Sequence, residues 1–160
     1  MPPELALDTA EATRAFGARL ASVLRRGDLV VLVGDLGAGK TTLTKGIGEG
    51  LRVRGPVTSP TFVIARVHRS LVGGPPLVHV DAYRLGGHAE LDDLDLDAEL
   101  EESVTVVEWG RGLAEGLSAD RLEVELAGRG RTPGRTVRLV GHGARWEAAR
   151  AQLSALARPR

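Results

Sequence analysis

The sequence predicts a three-layer α/β/α fold with a mainly parallel central sheet and an antiparallel hairpin near the C-terminus. Three observations point there. Aromatic residues make up only 3% of the chain, so the core has to be built from Val, Leu, Ile and Ala, the composition of strands buried on both faces. Short apolar runs recur at 29–33, 77–80 and 104–107, the first unbroken and the other two interrupted only by His79 and Thr105, as they do in parallel strands covered from both sides. The first of these runs leads through a glycine-rich loop into a helical pattern, forming a strand, loop, helix unit. A length of 160 residues suits one domain, residues 1–160, with a single core.

Taken in order, Leu5–Leu7 reads as a short strand. Asp8 or Thr9 then caps a helix over about Ala10–Arg25, in which Ala12, Phe16, Leu20 and Leu24 recur at helical spacing, and Gly27 ends it. Leu29–Val33 is a buried strand, Gly34–Gly39 a loop, and Thr41–Leu51 a helix through Leu43, Ile47 and Leu51. Thr61–His68 alternates with Phe62, Ile64 and Val67 as its apolar positions. Leu77–Val80 and Val104–Val107 are strands that each run into a carboxylate, and His88–Glu102 lies where a helical crossover between parallel strands is needed. Arg121–Leu126 and Thr136–Val140 form a hairpin with a long flexible turn over Gly128–Gly134, and Ala144–Leu156 closes the chain as one Ala-rich amphipathic helix.

The composition narrows the function. Twenty-one basic and 21 acidic side chains cancel, so no overall field draws the protein onto nucleic acid or an anionic membrane, and an RNA contact needs a local patch or a partner. The absence of cysteine excludes a disulfide framework, a thiolate metal site and a catalytic thiol. No apolar run exceeds Leu29–Val33, and the first twelve residues carry Glu4, Asp8 and Glu11, so neither a membrane span nor a signal peptide is expected and the cytoplasm is the expected location.

Gly34-Asp35-Leu36-Gly37-Ala38-Gly39-Lys40-Thr41 matches G-x-x-x-x-G-K-[ST] in full and sits between a buried strand and a helix, where its mechanism needs it. Glycines let successive N–H groups turn inward around a phosphate, and the helix N-terminus adds partial positive charge. In this reading Lys40 bridges β- and γ-phosphate oxygens, Thr41 ligates Mg²⁺ and Thr42 bonds the α-phosphate. The expected fold is therefore P-loop NTPase-like, and Gly37, Ala38, Gly39, Lys40, Thr41 and Thr42 are the expected phosphate-binding residues. Guanine specificity is disfavoured, since the usual Asn-Lys-x-Asp reader cannot exist in a chain without asparagine.

Phosphate-loop proteins also use an acid at the end of a neighbouring apolar strand to hold Mg²⁺ or orient water. Asp81 and Glu108 both have that form, and the sequence leaves open which does which. Thr58-Ser59-Pro60-Thr61 is either a loop sensing the γ-phosphate or an ordinary turn. His79, among apolar strand residues, reads as a core histidine. Trp109 either stacks on a base or fills the core, and composition favours packing.

Taken together, Gly34–Thr44, Ser59-Pro60-Thr61-Phe62, His79-Val80-Asp81-Ala82-Tyr83-Arg84-Leu85 and Glu108-Trp109 resemble the bacterial TsaE (YjeE) family over about Leu5–Leu139. The resemblance implies ATP and Mg²⁺, and a subunit of the machinery that makes N6-threonylcarbamoyladenosine at position 37 of tRNA. It implies partners TsaD and TsaB, whose repeated turnovers ATP hydrolysis would permit, with tRNA met only through the complex. It carries Mg²⁺ ligation to Thr41 and Glu108, importance for activity to Asp81 and Trp109, and nucleotide contact to Thr9 or Ala10 and Arg135. Lys40, Asp81 and Glu108 are thus the expected catalytic residues, and Trp109 joins the expected nucleotide-binding ones. Around Glu90–Leu100 the chain departs from the family, with Asp95 and leucine or acidic residues where a glycine and an aromatic are usual, and nothing after Gly141 contributes to the likeness. The expected activity is a Mg-dependent ATPase, slow without its partners. Two other readings stay open: a small-molecule kinase, with Arg129, Arg131 and Arg135 on a mobile lid, and a nucleotide-dependent interaction module without useful hydrolysis.

Overall fold

The computed structural model describes residues 2–34, 39–55, 57, 65–81, 101–108, 119–129 and 132–158. Among them are seven strands, β1 (Glu4–Leu7), β2 (Leu29–Val33), β3 (Ala65–His68), β4 (Leu77–Asp81), β5 (Val104–Glu108), β6 (Arg121–Arg129) and β7 (Thr132–His142). The helices are α1 (Ala10–Ala21), α2 (Lys40–Leu51), α3 (Ala144–Ala148) and α4 (Arg150–Leu156). The strands form one sheet in the order β1-β7-β6-β2-β5-β4-β3. Its centre is parallel, with β2 between β6 and β5 and β4 beyond β5, and both flanks are antiparallel through β7, β1 and β3. This is the mixed α/β architecture that the apolar runs imply, hairpin included.

Strand alternation divides the core. Val30, Leu32, Val106 and Leu122 join Phe16 and Leu20 of α1, Leu43 and Ile47 of α2, Trp146 of α3 and Leu153 of α4 in one cluster. Leu29, Val31, Val78, Val80 and Val107 are equally buried and point the other way by the period of two. The crossover expected over His88–Glu102 lies outside the described residues, apart from Glu101 and Glu102, which form a turn.

The helices α1 and α2 touch backbone to backbone. A methyl group at Gly17 would lie 2.4 Å from the Leu43 carbonyl oxygen, and one at Gly46 only 2.0 Å from that of Arg14. Glycine inside a helix costs about 1 kcal/mol relative to alanine, and here that cost is offset by a contact no larger residue permits. The packing carries α1 and the loop before it against the first turn of α2.

Four local expectations need correcting. The first helix stops at Ala21, because the Ser22 hydroxyl and N–H both turn back to the Arg19 carbonyl and a turn over Arg25–Asp28 follows. Leu24 stays buried although it lies outside the helix. In β3 the inward residue is His68, whereas Val67 is exposed; Thr61–Ile64 lie outside the described residues. The long flexible turn is mostly strand, since β6 and β7 stay paired to Arg129 and Thr132, with a register shift at Gly128/Arg129. The last helix is broken at Ala149 into α3 and α4. No helix among the described residues is long and apolar enough to cross a membrane.

Candidate functional site

Leu32 of β2 is in register with Glu108 of β5, and Glu108 with Asp81 of β4. The C-terminal ends of three adjacent parallel strands are therefore level, and Gly34 lies just beyond them. This is the edge at which open α/β sheets bind ligands.

Asp35–Ala38, Gly37 and Ala38 among them, lie outside the described residues. Gly39 follows as the N-cap of α2 with φ 99°, a left-handed conformation that disfavours a side chain. A glycine cap brings no side-chain oxygen to compete for the first-turn N–H groups, which together with the helix dipole favour an anion. Lys40 is buried. A buried ammonium needs hydrogen bonds, and its Nζ donates to the Gly34 carbonyl at 2.6 Å. Thr41 and Thr42 are half-buried in the first turn, and the buried Thr44 hydroxyl is satisfied by the Lys40 carbonyl at 2.8 Å.

One strand away, Glu108 is buried, and its Oε2 meets Nε2 of the fully buried His79. Asp81 stands level with Glu108 as the last residue of β4. Trp109 and the Thr58–Thr61 loop lie outside the described residues.

On the opposite side of α2, a cavity of about 210 Å³ is lined by Asp8, Thr9, Ala10, Thr13, Gly39, Thr42, Gly134 and Arg135, with Leu7 behind. Thr9 is held there as the N-cap of α1, accepting the Ala12 N–H at 3.0 Å. Arg135 pairs with Leu7 across β1 and β7. Gly134, with φ 100°, lets β7 come close, since a Cβ there would lie 2.6 Å from the Leu7 carbonyl oxygen. The structure thus gathers Thr9, Ala10, Gly39, Thr42 and Arg135, which lie far apart in the chain, around one hollow. Thr13 escaped the sequence reading, although it follows Thr9 by one helical turn. The link between His79 and Glu108 escaped it too, although aligning the two carboxylate-ended strands places them one pleat period apart on the same face.

Fold and site together define a mixed α/β protein in which a glycine-capped helix and two carboxylate-ended strands meet at one sheet edge. A family model described as "Threonylcarbamoyl adenosine biosynthesis protein TsaE" matches residues 7–137, and the chain belongs to the TsaE family. It is similar to the tRNA threonylcarbamoyladenosine biosynthesis protein TsaE of Streptomyces coelicolor, 61% identical over 148 residues, which cover 90% of this chain and 99% of that one. The protein of the same name from Bacillus subtilis is 41% identical, with 72% of each chain covered. The crystal structure of Bacillus subtilis YdiB superposes with a TM-score of 0.77 at 33% identity, over 97% of both chains.

Proposed function

We propose that this protein is an ATP-binding and ATP-hydrolysing subunit of the machinery that makes N6-threonylcarbamoyladenosine in tRNA, acting with TsaD and TsaB to permit multiple turnovers. The observation that carries this reading is that Gly39 and Thr42 of the first turn of α2 line one hollow with Thr9 and Arg135, while the Lys40 ammonium is held at Gly34, just beyond β2, whose neighbour β5 ends in Glu108. The hollow is smaller than the roughly 300–1,000 Å³ of a drug-sized pocket. It suits one end of a nucleotide, with the phosphates outside it at the N-terminus of α2.

The residues present fit a magnesium nucleotide. Hydroxyl and carboxylate oxygens, the donors of Thr41 and Glu108, are the hard ligands Mg²⁺ takes. When bound, the ion would neutralise charge on the β- and γ-phosphates. Lys40 would hold the phosphate chain, its ammonium exchanging the Gly34 carbonyl for phosphate oxygens. Asp81, at the strand end beside Glu108, is assigned to orienting or deprotonating the attacking water. We expect slow turnover in isolation, with a partner supplying an element in trans as arginine fingers do. The kinase reading is the less favoured one, because the backbones of Arg129 and Arg135 lie in paired strands, where a lid would need to swing; Arg131 lies outside the described residues.

Lys40→Ala tests the assignment. Losing a charge-assisted hydrogen bond costs about 1.5–3 kcal/mol, so calorimetry on the folded variant should show ATP affinity falling about 10- to 100-fold. Unaltered affinity would refute the assignment of the loop.

A further inference from the structure

We infer that His79 is a positioning residue for Glu108, fixing one carboxylate oxygen so that the other is offered in a set direction to magnesium-bound ATP. The inference rests on the function proposed above and deepens it.

His79 and Glu108 sit on neighbouring parallel strands in the register His79↔Val106 and Asp81↔Glu108. Strand alternation puts residues 79, 106 and 108 on one face, and Nε2 of His79 reaches Oε2 of Glu108 there. The histidine is fully buried and the carboxylate nearly so. A carboxylate only accepts, so Nε2 carries the hydrogen and donates it. Oε2 is thereby engaged, and Oε1 remains as the oxygen available to a hydrated cation.

Packing does not account for histidine at this place. Its Nδ1 is buried without a hydrogen-bond partner among the described residues, a loss that valine or leucine in the same strand would avoid. A polar side chain that leaves one nitrogen unsatisfied in the core, while the other grips the carboxylate at the strand end, is a support for that carboxylate. Residues that orient metal ligands through hydrogen bonds commonly change metal affinity 10- to 100-fold when removed.

The test compares His79→Gln with His79→Asn. Glutamine carries its nitrogen at the ε position and can still donate to Glu108, whereas the asparagine nitrogen stops at the δ position and falls short. ATP affinity is measured by calorimetry across a Mg²⁺ titration and again in EDTA, with melting temperature alongside. We expect His79→Asn to need about 10- to 100-fold more Mg²⁺ to reach the high-affinity state, its affinity in EDTA staying within about twofold of the original. His79→Gln should restore most of the Mg²⁺ response, which a purely structural role would not do. Equal behaviour of the two variants overturns the inference, as does a loss of affinity of the same size with and without Mg²⁺. If His79→Asn fails to fold, His79→Gln decides alone: a retained Mg²⁺ response supports the inference and a lost one overturns it. A wild-type protein that binds ATP without regard to Mg²⁺ would sink this inference together with its magnesium premise. An original-strength Mg²⁺ response in His79→Asn would sink the positioning role only.

Discussion

Two buried charged groups lie at opposite ends of the parallel strands, and their surroundings differ. At the N-terminal end, Asp28 just before β2 receives Arg145 Nε on Oδ1 and Arg145 Nη2 on Oδ2, both at 2.9 Å. The Arg25 N–H donates to Oδ2 at 2.8 Å, and Arg145 also donates to the Val23 carbonyl while its guanidinium lies 4.4 Å from the Trp146 ring centre. Both oxygens of this carboxylate are satisfied, and the network ties α3 to the end of α1 and the start of β2. At the C-terminal end, Glu108 has one oxygen held by His79, whose other nitrogen is unpartnered among the described residues. A buried pair with all its partners in place serves the fold. The Glu108 carboxylate, with one oxygen left over among the described residues, suits the ligand-binding role proposed for it.

The contrast can be broken from the structural end first. Arg145→Ala leaves Asp28 buried without its counter-charge and should cost about 3–5 kcal/mol, seen as a lower denaturant midpoint with ATP affinity in the folded protein unchanged. Next in size is Gly46→Ala. Alanine is the better helix former by about 1 kcal/mol, but its methyl group would meet the Arg14 carbonyl, which is backbone and cannot rotate away. The net effect should be a loss of about 1–3 kcal/mol, and because α1 carries Thr9 and Thr13, nucleotide affinity should fall with it.

The smallest expected effect is one of pH. Burial pushes the His68 imidazole below its ordinary 6.5, only partly opposed by a hydrogen bond to the Arg54 backbone. The unfolded chain therefore takes up this proton more readily than the folded one. This contribution to stability is complete above pH 6.5 and is lost as the pH falls through the lowered value. Melting curves should show a decline on acidification that His68→Gln makes shallower.

What the sequence conveys follows from the range of the interactions involved. Leu29–Val33 is a strand at the bounds its apolar run suggests, because five aliphatic residues between Asp28 and Gly34 leave no other comfortable place for them. Thr9 as helix cap and the carboxylates at the ends of β4 and β5 are local signals of the same kind. Long-range contacts leave no such trace. Gly134 looks like turn flexibility in the sequence, yet it is glycine because β1 passes against it. The break at Ala149 has no glycine or proline to mark it; Ala149 itself is buried, and Trp146 packs beneath Gly141. Val67 misleads because β3 is an edge strand, where one apolar residue can face outward while His68 turns in. Arg145 and Asp28 are 117 residues apart, and nothing near either one announces the other. The hollow around Thr42 follows the same rule, since Thr9 at the start of α1 and Arg135 of β7 reach it only once the sheet has formed.

Steady-state ATP hydrolysis by the purified protein, measured alone and with TsaD and TsaB, with and without tRNA, decides whether this site works as a partner-coupled ATPase. We expect slow turnover alone, clear stimulation by the pair, and loss of that stimulation in Glu108→Gln with the fold intact. Indifference to the partners, or a Glu108→Gln protein that hydrolyses ATP as fast as the original, would contradict that reading.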